Sequence, residues 1–543
     1  MLDEMWQSHL NYRKTTTFGK RGIEFYEKYA GLHWDAAKVK PGRAAIVINQ
    51  TGATVEDILS EITDSPPLFD VIGNDPKYDE ESTVLKDVLN KSLWKKSGME
   101  IDSERVVRSS LIIGSGHLRT VCDAETRQIK SKFSSPFSCF PAPNEADLQE
   151  MTCFIFARQV PRITLQESLG DEIKDIKKSV IKTYEYLPDM EKEAAKGVFA
   201  GVKDMFRQAS SGLGYALGSG SSTERNERLL LREYWVKDLA KDISGNRKYP
   251  SWRYYVRVED TTITSVQDVW PYSFIPFCKM DDYVTEGYWG MGEIDWMSSP
   301  QYLINKFISQ ICNYMDMVAN PQIKQEDGAG VPANWTNLPG GVLTVNRGFF
   351  DKVDFMRVPA LPNEFLVLLN TMMKIIDDIT GQRVGMPVRS ATQAAMFSES
   401  QQQRIRPKIR HMEKCWVDWA EQCKAYIKKH WVSGYALAYR NEDGKLIRRD
   451  FKDVDILDDL NVSIMTGASV ASSKFMRISQ MSQLPELDLE TRLKTMDWPN
   501  ATAIAAKIEE KKGEVMQLKM QMEQMVAENQ QLKEYLQQMQ RGG

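Results

Sequence analysis

Between Tyr283 and Arg410 two long apolar-patterned segments flank a Gly/Pro-rich excursion, and this arrangement constrains the fold more than any other stretch. The first segment reads as a helix over Pro300–Ala319. Ser298 and Ser299 offer caps, and Pro300 suits a first helical turn. Leu303, Phe307, Ile311, Tyr314/Met315 and Val318 form one stripe, with Asn305, Ser309, Asn313 and Asp316 off it. Twenty or so residues at ~1.5 Å each make a rod of ~30 Å, which Asn320-Pro321 stops. The second segment, Pro362–Thr380, carries Phe365, Leu366, Leu368, Leu369, Met372, Met373, Ile375, Ile376 and Ile379. It is apolar nearly all round, so it needs burial on several sides. Either neighbouring subunits or the core of a large domain would supply that. Between the two lie Gly328, Gly330, Pro332, Pro339-Gly340-Gly341 and a strand-like Val342–Val345. Helices that leave and return around such a module make a stalk with a tip. An aromatic, glycine-interleaved lead-in, Gly287–Gly292, precedes them, and a Gly/Arg-rich arm, Gly381–Thr392, follows.

A chain of 543 residues is long enough for two to four structural units. Its net charge of −4 lacks the basic excess of proteins that grip nucleic acid tightly. Any such contact is then loose or confined to a few positions. The 7 cysteines are scattered without a CxxC pair, which suits buried thiols in a reducing cytoplasm. Met1–Leu10 lacks the apolar core of a signal peptide, and no run approaches the ~20 apolar residues of a membrane span.

Residues 1–270 read as mixed α+β. Helices are expected over 3–30, 54–63, 80–96 and 100–113, and Gly114-Ser115-Gly116 ends the last. Strands are expected from Pro66-Pro67 to Val71 and over 117–122, 128–133, 151–158, 229–236, 252–259 and 262–269. Thr164 to Glu167 has capping-box spacing, with Gly170 at a C-cap position. Helices over 172–187 and 190–208 lead to a flexible-looking Gly/Ser stretch, 210–222. Beyond the arm, 393–431 reads as a helix kinked at Pro407, with Ile409, Met412, Trp416, Trp419, Cys423 and Ile427 on one face. Its basic run of Arg404, Arg406, Lys408 and Arg410 reads as a solvated or intersubunit face. A hairpin turning at Asn441–Gly444, a third strand at 461–465 and short helices at 474–484 and 489–495 follow.

From Ala501 the pattern changes. Ile504, Ile508, Val515, Leu518, Met522, Met525, Leu532, Leu536 and Met539 fall in one heptad frame whose polar entries are Lys511 and Asn529. About five heptads make a coiled coil or bundle helix that needs partners. We take Val515, Leu518, Met522, Met525, Asn529, Leu532 and Leu536 as the oligomerisation seam; an Asn at an a position commonly fixes register.

Catalytic motifs are missing. There is no P-loop, no H-E-x-x-H and no G-x-S-x-G, and the 5 histidines lack metal-ligand spacing. Asp377-Asp378 and Asp458-Asp459 read as solvated faces rather than metal sites. The expectation is a protein that is not an enzyme and has no cofactor.

Several short segments, taken in order, carry a resemblance. They are Tyr26-x-x-Tyr29-Ala30-Gly31-x-x-Trp34, Gly42-Arg43 and Ile48-Asn49. Gly290-Met291-Gly292-x-x-Asp295, Gln301-x-x-Ile304-Asn305 and Ala319-Asn320-Pro321 come next. Leu338-Pro339-Gly340-Gly341, Ile379-Thr380-Gly381 and Ser390-Ala391-Thr392 with Gln402, Arg404 and Pro407 complete the series. Together they resemble phage portal proteins, the head-to-tail connectors of tailed double-stranded DNA bacteriophages. The podovirus type with a C-terminal helical barrel is the most similar, and 190–225 stands outside the likeness.

The resemblance implies an α+β, mainly helical portal fold: wing 1–284, stem helix 285–320, clip 321–361, stem helix 362–380, tunnel loop 381–395, wing again 396–465, crown 466–500 and barrel helix 501–543. It implies a homo-oligomer, a dodecameric ring at one capsid vertex of the virion, assembled in the host cytoplasm with capsid and scaffolding protein. Double-stranded DNA would pass the channel in packaging and ejection. The clip would dock the terminase large subunit and then tail adaptor or head completion proteins, through Gln325, Glu326, Trp335 and Asn337. Arg383, Arg389 and Lys374 would touch DNA weakly, or make intersubunit salt bridges. A conduit for sliding DNA suits the near-neutral charge, since each neutralised phosphate adds affinity. A non-catalytic oligomeric coiled-coil scaffold or adaptor is the alternative expectation.

Overall fold

The computed structural model describes residues 1–34, 39, 43–64, 66–123, 126–173, 176, 228–238, 251–263, 270–332, 343–380, 391–431, 435–440, 446–451, 455–464 and 525. The helices expected over 172–187 and 190–208 lie almost wholly outside these residues. So do the Gly/Ser stretch, the Asn441–Gly444 turn, the helices at 474–484 and 489–495 and, apart from Met525, the heptad tail. The chain forms two compact units, Met1–Pro67 with Ser97–Tyr426, and Leu68–Lys96 with Ile427–Gly543.

In the first unit the expected helix over 3–30 is two helices, α1 (Leu2–Thr15) and α2 (Thr17–Tyr29). Three successive threonines interrupt it. Thr16 turns extended, and its hydroxyl accepts from the Gly19 N–H, a standard N-cap. α3 (Gln50–Thr63) starts a turn earlier than expected because Asn49 caps it, accepting from the Gly52 N–H. α5 (Met99–Ile113) is the most deeply buried helix of this region and ends at Gly114, whose φ is 91°. The capping box at Thr164 does not form. α6 (Arg162–Leu169) begins before it, at Pro161, which has no side-chain donor or acceptor to cap with, whereas Gly170 does take the C-cap.

Two antiparallel sheets build the core. One orders β3-β2-β9, from β2 (Ser115–Cys122), β3 (Ile129–Ser134) and β9 (Phe277–Asp281). The other orders β4 to β8 in sequence: Cys139–Pro141, Cys153–Pro161, Arg228–Lys237, Trp252–Val258 and Thr261–Ile263. Central strand β6 is buried on both faces. On one side Trp6 and Leu10 of α1 pack with Phe140, Ile155 and Tyr234. On the other, Leu165 joins Leu229, Leu231, Val256 and Ile263. The strand expected to 269 is described only as Thr261–Ile263.

In the second unit β1 (Phe69–Gly73) pairs with β14 (Leu460–Ile464). The third C-terminal strand therefore does not extend the hairpin of β12 (Tyr435–Arg440) and β13 (Leu446–Phe451). The expected helix over 80–96 is α4 (Asp79–Asp87) running into π-helical turns over Val88–Lys96, where Asn90 turns its amide onto the Lys86 and Phe69 carbonyls.

Candidate functional site

Two glycine clusters fix where the stalk begins. A Cβ on Gly114 would lie 2.2 Å from the Gly290 carbonyl oxygen, and one on Gly290 would lie 2.3 Å from that of Gly114. Neither residue tolerates a side chain, because two backbones meet there. From this crossing α7 (Glu293–Ala319) runs for 27 residues. It starts two turns before the expected Pro300. Gly292 is the N-cap, Glu293 and Asp295 sit in the first turn, and Pro300 is accommodated inside. After the tip the chain returns as α8 (Glu364–Thr380), packed along α7 with Phe307 and Phe365 edge to face at 6.1 Å.

Of the polar residues expected off the stripe of α7, Asp316 is exposed, whereas Asn305, Ser309 and Asn313 face the protein. Gln301, Asn305 and Ser309 are buried, and with Asn313 they form a file at four-residue spacing. Against this file lies an extended strap, Ala44 to Gln50. The backbone N–H of Ala44 donates to Asn313 Oδ1 (2.8 Å), Ile46 to Ser309 Oγ (2.9 Å), Ile48 to Asn305 Oδ1 (3.0 Å) and Gln50 to Gln301 Oε1 (3.1 Å). Gln301 Nε2 donates back to the Ile48 carbonyl (2.6 Å). The match is geometric. Four helical residues rise about 6 Å and two extended residues about 6.6 Å, so every second strap amide meets the next turn. Helix side chains thus do for the strap what a neighbouring strand does in a sheet. The signal was in the sequence: four uncharged hydrogen-bonding residues at an unbroken i, i+4 spacing, opposite the Ile48-Asn49 motif. The partner explains the polarity, since a backbone can be buried only against hydrogen-bonding groups.

The distal stalk is the reverse. Met315, Met317 and Val318 are 61, 50 and 48 % exposed, and Leu366, Val367 and Leu368 are 49, 64 and 42 % exposed. In α8 the buried residues are Ile376 and Thr380. Among the described residues, then, this apolar helix is not packed as a domain core. Lys374 is exposed on the face of α8 that carries Val367, seven residues earlier.

At the tip, β10 (Ile323–Gln325) pairs with β11 (Val353–Phe355). The strand expected at 342–345 is not one: Leu343–Val345 is irregular, and the ladder forms further along the chain. Gln325, though exposed, clamps the tip loop with its side-chain amide, accepting from the Val331 N–H (3.1 Å) and donating to its carbonyl (3.2 Å). Glu326 pairs with Lys352 at 2.7 Å. Among the described residues of the tip, Phe350, 83 % exposed, and Phe355 and Met356, 44 and 55 % exposed, are the large apolar side chains offered outward, and sequence reasoning missed them. Trp335 and Asn337 lie outside the described residues, as do Arg383 and Arg389.

The long helix α9 (Ala391–His430) runs through Pro407 as one element. The expected face, Ile409 to Ile427, is buried, and Trp419 donates to Ser131 Oγ of β3. The basic run divides. Arg404 donates to the Asp378 and Ile379 carbonyls at the end of α8, while Lys408 is buried, 3 % exposed, between Asp282 and Glu293. Arg404, Arg406 and Arg410 are exposed, in line with a solvated or intersubunit face, and Lys408 is the exception. Burial alone would pull the Lys408 ammonium down, but the two carboxylates hold it above its ordinary range. Of the heptad seam only Met525 is described, helical and 57 % exposed. Val515, Leu518, Met522, Asn529, Leu532 and Leu536 lie outside.

Among the described residues no group of three or more His, Cys, Asp or Glu is placed to hold a metal ion. None of the described helices is long and apolar enough to cross a membrane. The family model described as phage P22-like portal protein matches residues 20–421, which takes in the strap, the stalk, the tip and most of α9. No curated protein matches the chain.

Proposed function

Because this chain belongs to the phage P22-like portal protein family, we propose that it closes with identical copies into a dodecameric ring at one capsid vertex, and that double-stranded DNA enters and leaves through that ring. Its role as a phage portal protein follows from the family; the ring's chemistry is our reading. The observation that carries it is the exposed apolar distal stalk, Met315, Met317, Val318, Leu366, Val367 and Leu368. Exposed apolar side chains concentrated in one region mark an interface, and a second copy presenting the other helix of its own hairpin is the natural cover in a heterologous ring contact.

In this reading α7 and α8 are the stem, and the module between them is the clip. Phe350, Phe355 and Met356 are the anchors for terminase and, later, for tail adaptors, since exposed aromatic and Met side chains carry most of the energy at protein interfaces. Gln325 and Glu326 support the module rather than read the partner, and Trp335 and Asn337 remain proposed contacts. Arg383 and Arg389 are the proposed weak DNA contacts, Lys374, which shares the Val367 face, is proposed as an intersubunit salt-bridge partner, and Val515 to Leu536 are the proposed barrel seam. The near-neutral charge balance, −4 overall, suits a conduit that must let phosphates slide. The test is particle mass and negative-stain imaging of the purified chain. Rings with a central hole are expected; an elongated dimer or trimer without one would sink the reading. Truncation after residue 500 is expected to leave rings intact.

A further inference from the structure

Both stem helices are rooted on one turn of α9. Arg404 holds the last carbonyls of α8, those of Asp378 (3.2 Å) and Ile379. One turn later Lys408 holds Glu293, in the first turn of α7, at 2.7 Å, and also Asp282. Pro407, between them, can donate no hydrogen bond to the turn before it. Lys408, Asp282 and Glu293 are 3, 0 and 2 % exposed by side chain. One ammonium thus faces two carboxylates away from water. Asp282 Oδ2 and Glu293 Oε2 have no hydrogen-bond partner. With all three ionised, the cluster would bury a net negative charge, which is costly.

We propose that Asp282, Glu293 and Lys408 form a proton-binding site: one proton held between the two carboxylates completes the grip of α9 on the stem, and its loss loosens that grip.

Every charged or titratable group facing the cluster fits this. Tyr283 donates its hydroxyl to Glu293 (3.1 Å), and its ring lies 3.9 Å from the Lys408 ammonium. His411, on the next turn of α9, donates Nδ1–H to the Asp282 carbonyl (3.2 Å). Asp281 is spoken for by Lys279 (2.9 Å) and by the Ser115 hydroxyl (2.6 Å). Of these, Lys279 is paired with Asp281 and His411 bonds the Asp282 backbone carbonyl, so neither donates to the two carboxylates. Burial, with Glu293 adding to it and Lys408 opposing it, raises Asp282 to about 7. The proton therefore sits on Asp282 below neutrality, where the cluster is electrically neutral.

The sign is fixed by linkage. A carboxyl whose folded value is raised stabilises the folded state fully below its free value, near 4, and loses that contribution as pH rises to about 7. Opening of the stem root releases the proton. Opening should therefore become easier by about tenfold per pH unit from pH 5 to 7, and level off above. The experiment is hydrogen–deuterium exchange of the full-length chain from pH 5 to 8.5, corrected for the intrinsic pH dependence of amide exchange. The readout is the Glu293–Ser299 and Ile376–Thr380 amides. The wild type is expected to show the slope in both segments. Asp282→Asn keeps the shape and the neutral charge, and is expected to remove the slope. Glu293→Gln leaves a simple Asp282–Lys408 pair and should remove it too. A flat wild-type profile overturns the proposal, as does a slope that survives both substitutions. A slope at Glu293–Ser299 without one at Ile376–Thr380 overturns the shared grip.

Discussion

The two halves of the stalk invert each other's chemistry. The root of α7 buries amides and a hydroxyl, whereas the distal half exposes methionines, valines and leucines. Distance along one hairpin changes the partner, and the partner decides which polarity is buried. At the root the partner is this chain's own strap, a backbone that brings four N–H groups at regular intervals. An apolar face would strand them. At the distal end the described residues supply only the other helix of the hairpin, and one helix cannot cover the apolar sides of both. A ring of copies resolves that imbalance, and α7 is then one helix with two different interfaces.

The largest effect should come from the distal half. Val367→Asp places a charge on a side chain that is 64 % exposed in the subunit, so subunit stability should move by less than about 0.5 kcal/mol. In the ring the same carboxylate would be buried at every stem contact, at a cost of at least about 2 kcal/mol each. Mass measurement at micromolar concentration should find dispersed subunits with unchanged circular dichroism. Intact rings would show that the exposed apolar face is not the intersubunit contact.

That variant also provides a dispersed background in which subunit stability can be read apart from assembly. In it, Asn305→Leu should destabilise the first unit by about 2–3 kcal/mol. The change makes the helix more apolar, yet it leaves the Ile48 N–H facing the buried position 305 without an acceptor. Urea unfolding, together with exchange of the Ala44–Gln50 amides, would measure it. A stabilising outcome would mean that the polar file is not what holds the strap.

At the tip, Phe350→Ala removes a ring that is 83 % exposed. Subunit stability should again move by less than about 0.5 kcal/mol, while affinity for the packaging partner should fall by about tenfold or more, the usual loss at an interface anchor. Gln325→Ala should do the opposite, weakening the tip through its Val331 clamp. Equal binding losses without any change in tip stability would restore Gln325 as a contact residue.

How legible this was in the sequence depends on whether a pattern names its partner. The apolar face of α9 was readable because Trp416, Trp419 and Cys423 repeat at helical spacing and meet a sheet that is also apolar. The excess of apolar surface on α8 was readable as a demand for partners, though not which ones. The file of Gln301, Asn305, Ser309 and Asn313 was legible only in part, as Asn305, Ser309 and Asn313 off the apolar stripe, since polarity alone does not distinguish water from a buried backbone. Only its regular spacing and lack of charge did. The pairing of Lys408 with Asp282 and Glu293 joins residues more than a hundred positions apart. A basic run on a helix gives no sign that one member turns inward. The start of α7 was missed because Pro300 looked like a first-turn residue, while the true start is set by the Gly114–Gly290 crossing, a contact between distant backbones.

The smallest effects should form a gradient along the file itself. Asn305 and Ser309 are 1 and 6 % exposed, and Asn313, nearest the distal half, is only partly buried. Where water reaches, it replaces a lost acceptor, so the cost of removing the side chain should fall in that order. Ser309→Ala is expected to cost about 1 kcal/mol and Asn313→Ala about 0.5 kcal/mol or less, each read from urea unfolding in the dispersed background. The Ala44 N–H, which donates to Asn313, should then exchange only a little faster than in the parent. If Asn313→Ala were as costly as Asn305→Leu, exposure would not be what grades the file. The boundary between the self-satisfied root and the partner-seeking distal stalk would then lie beyond Asn313, in the stretch that begins at Met315.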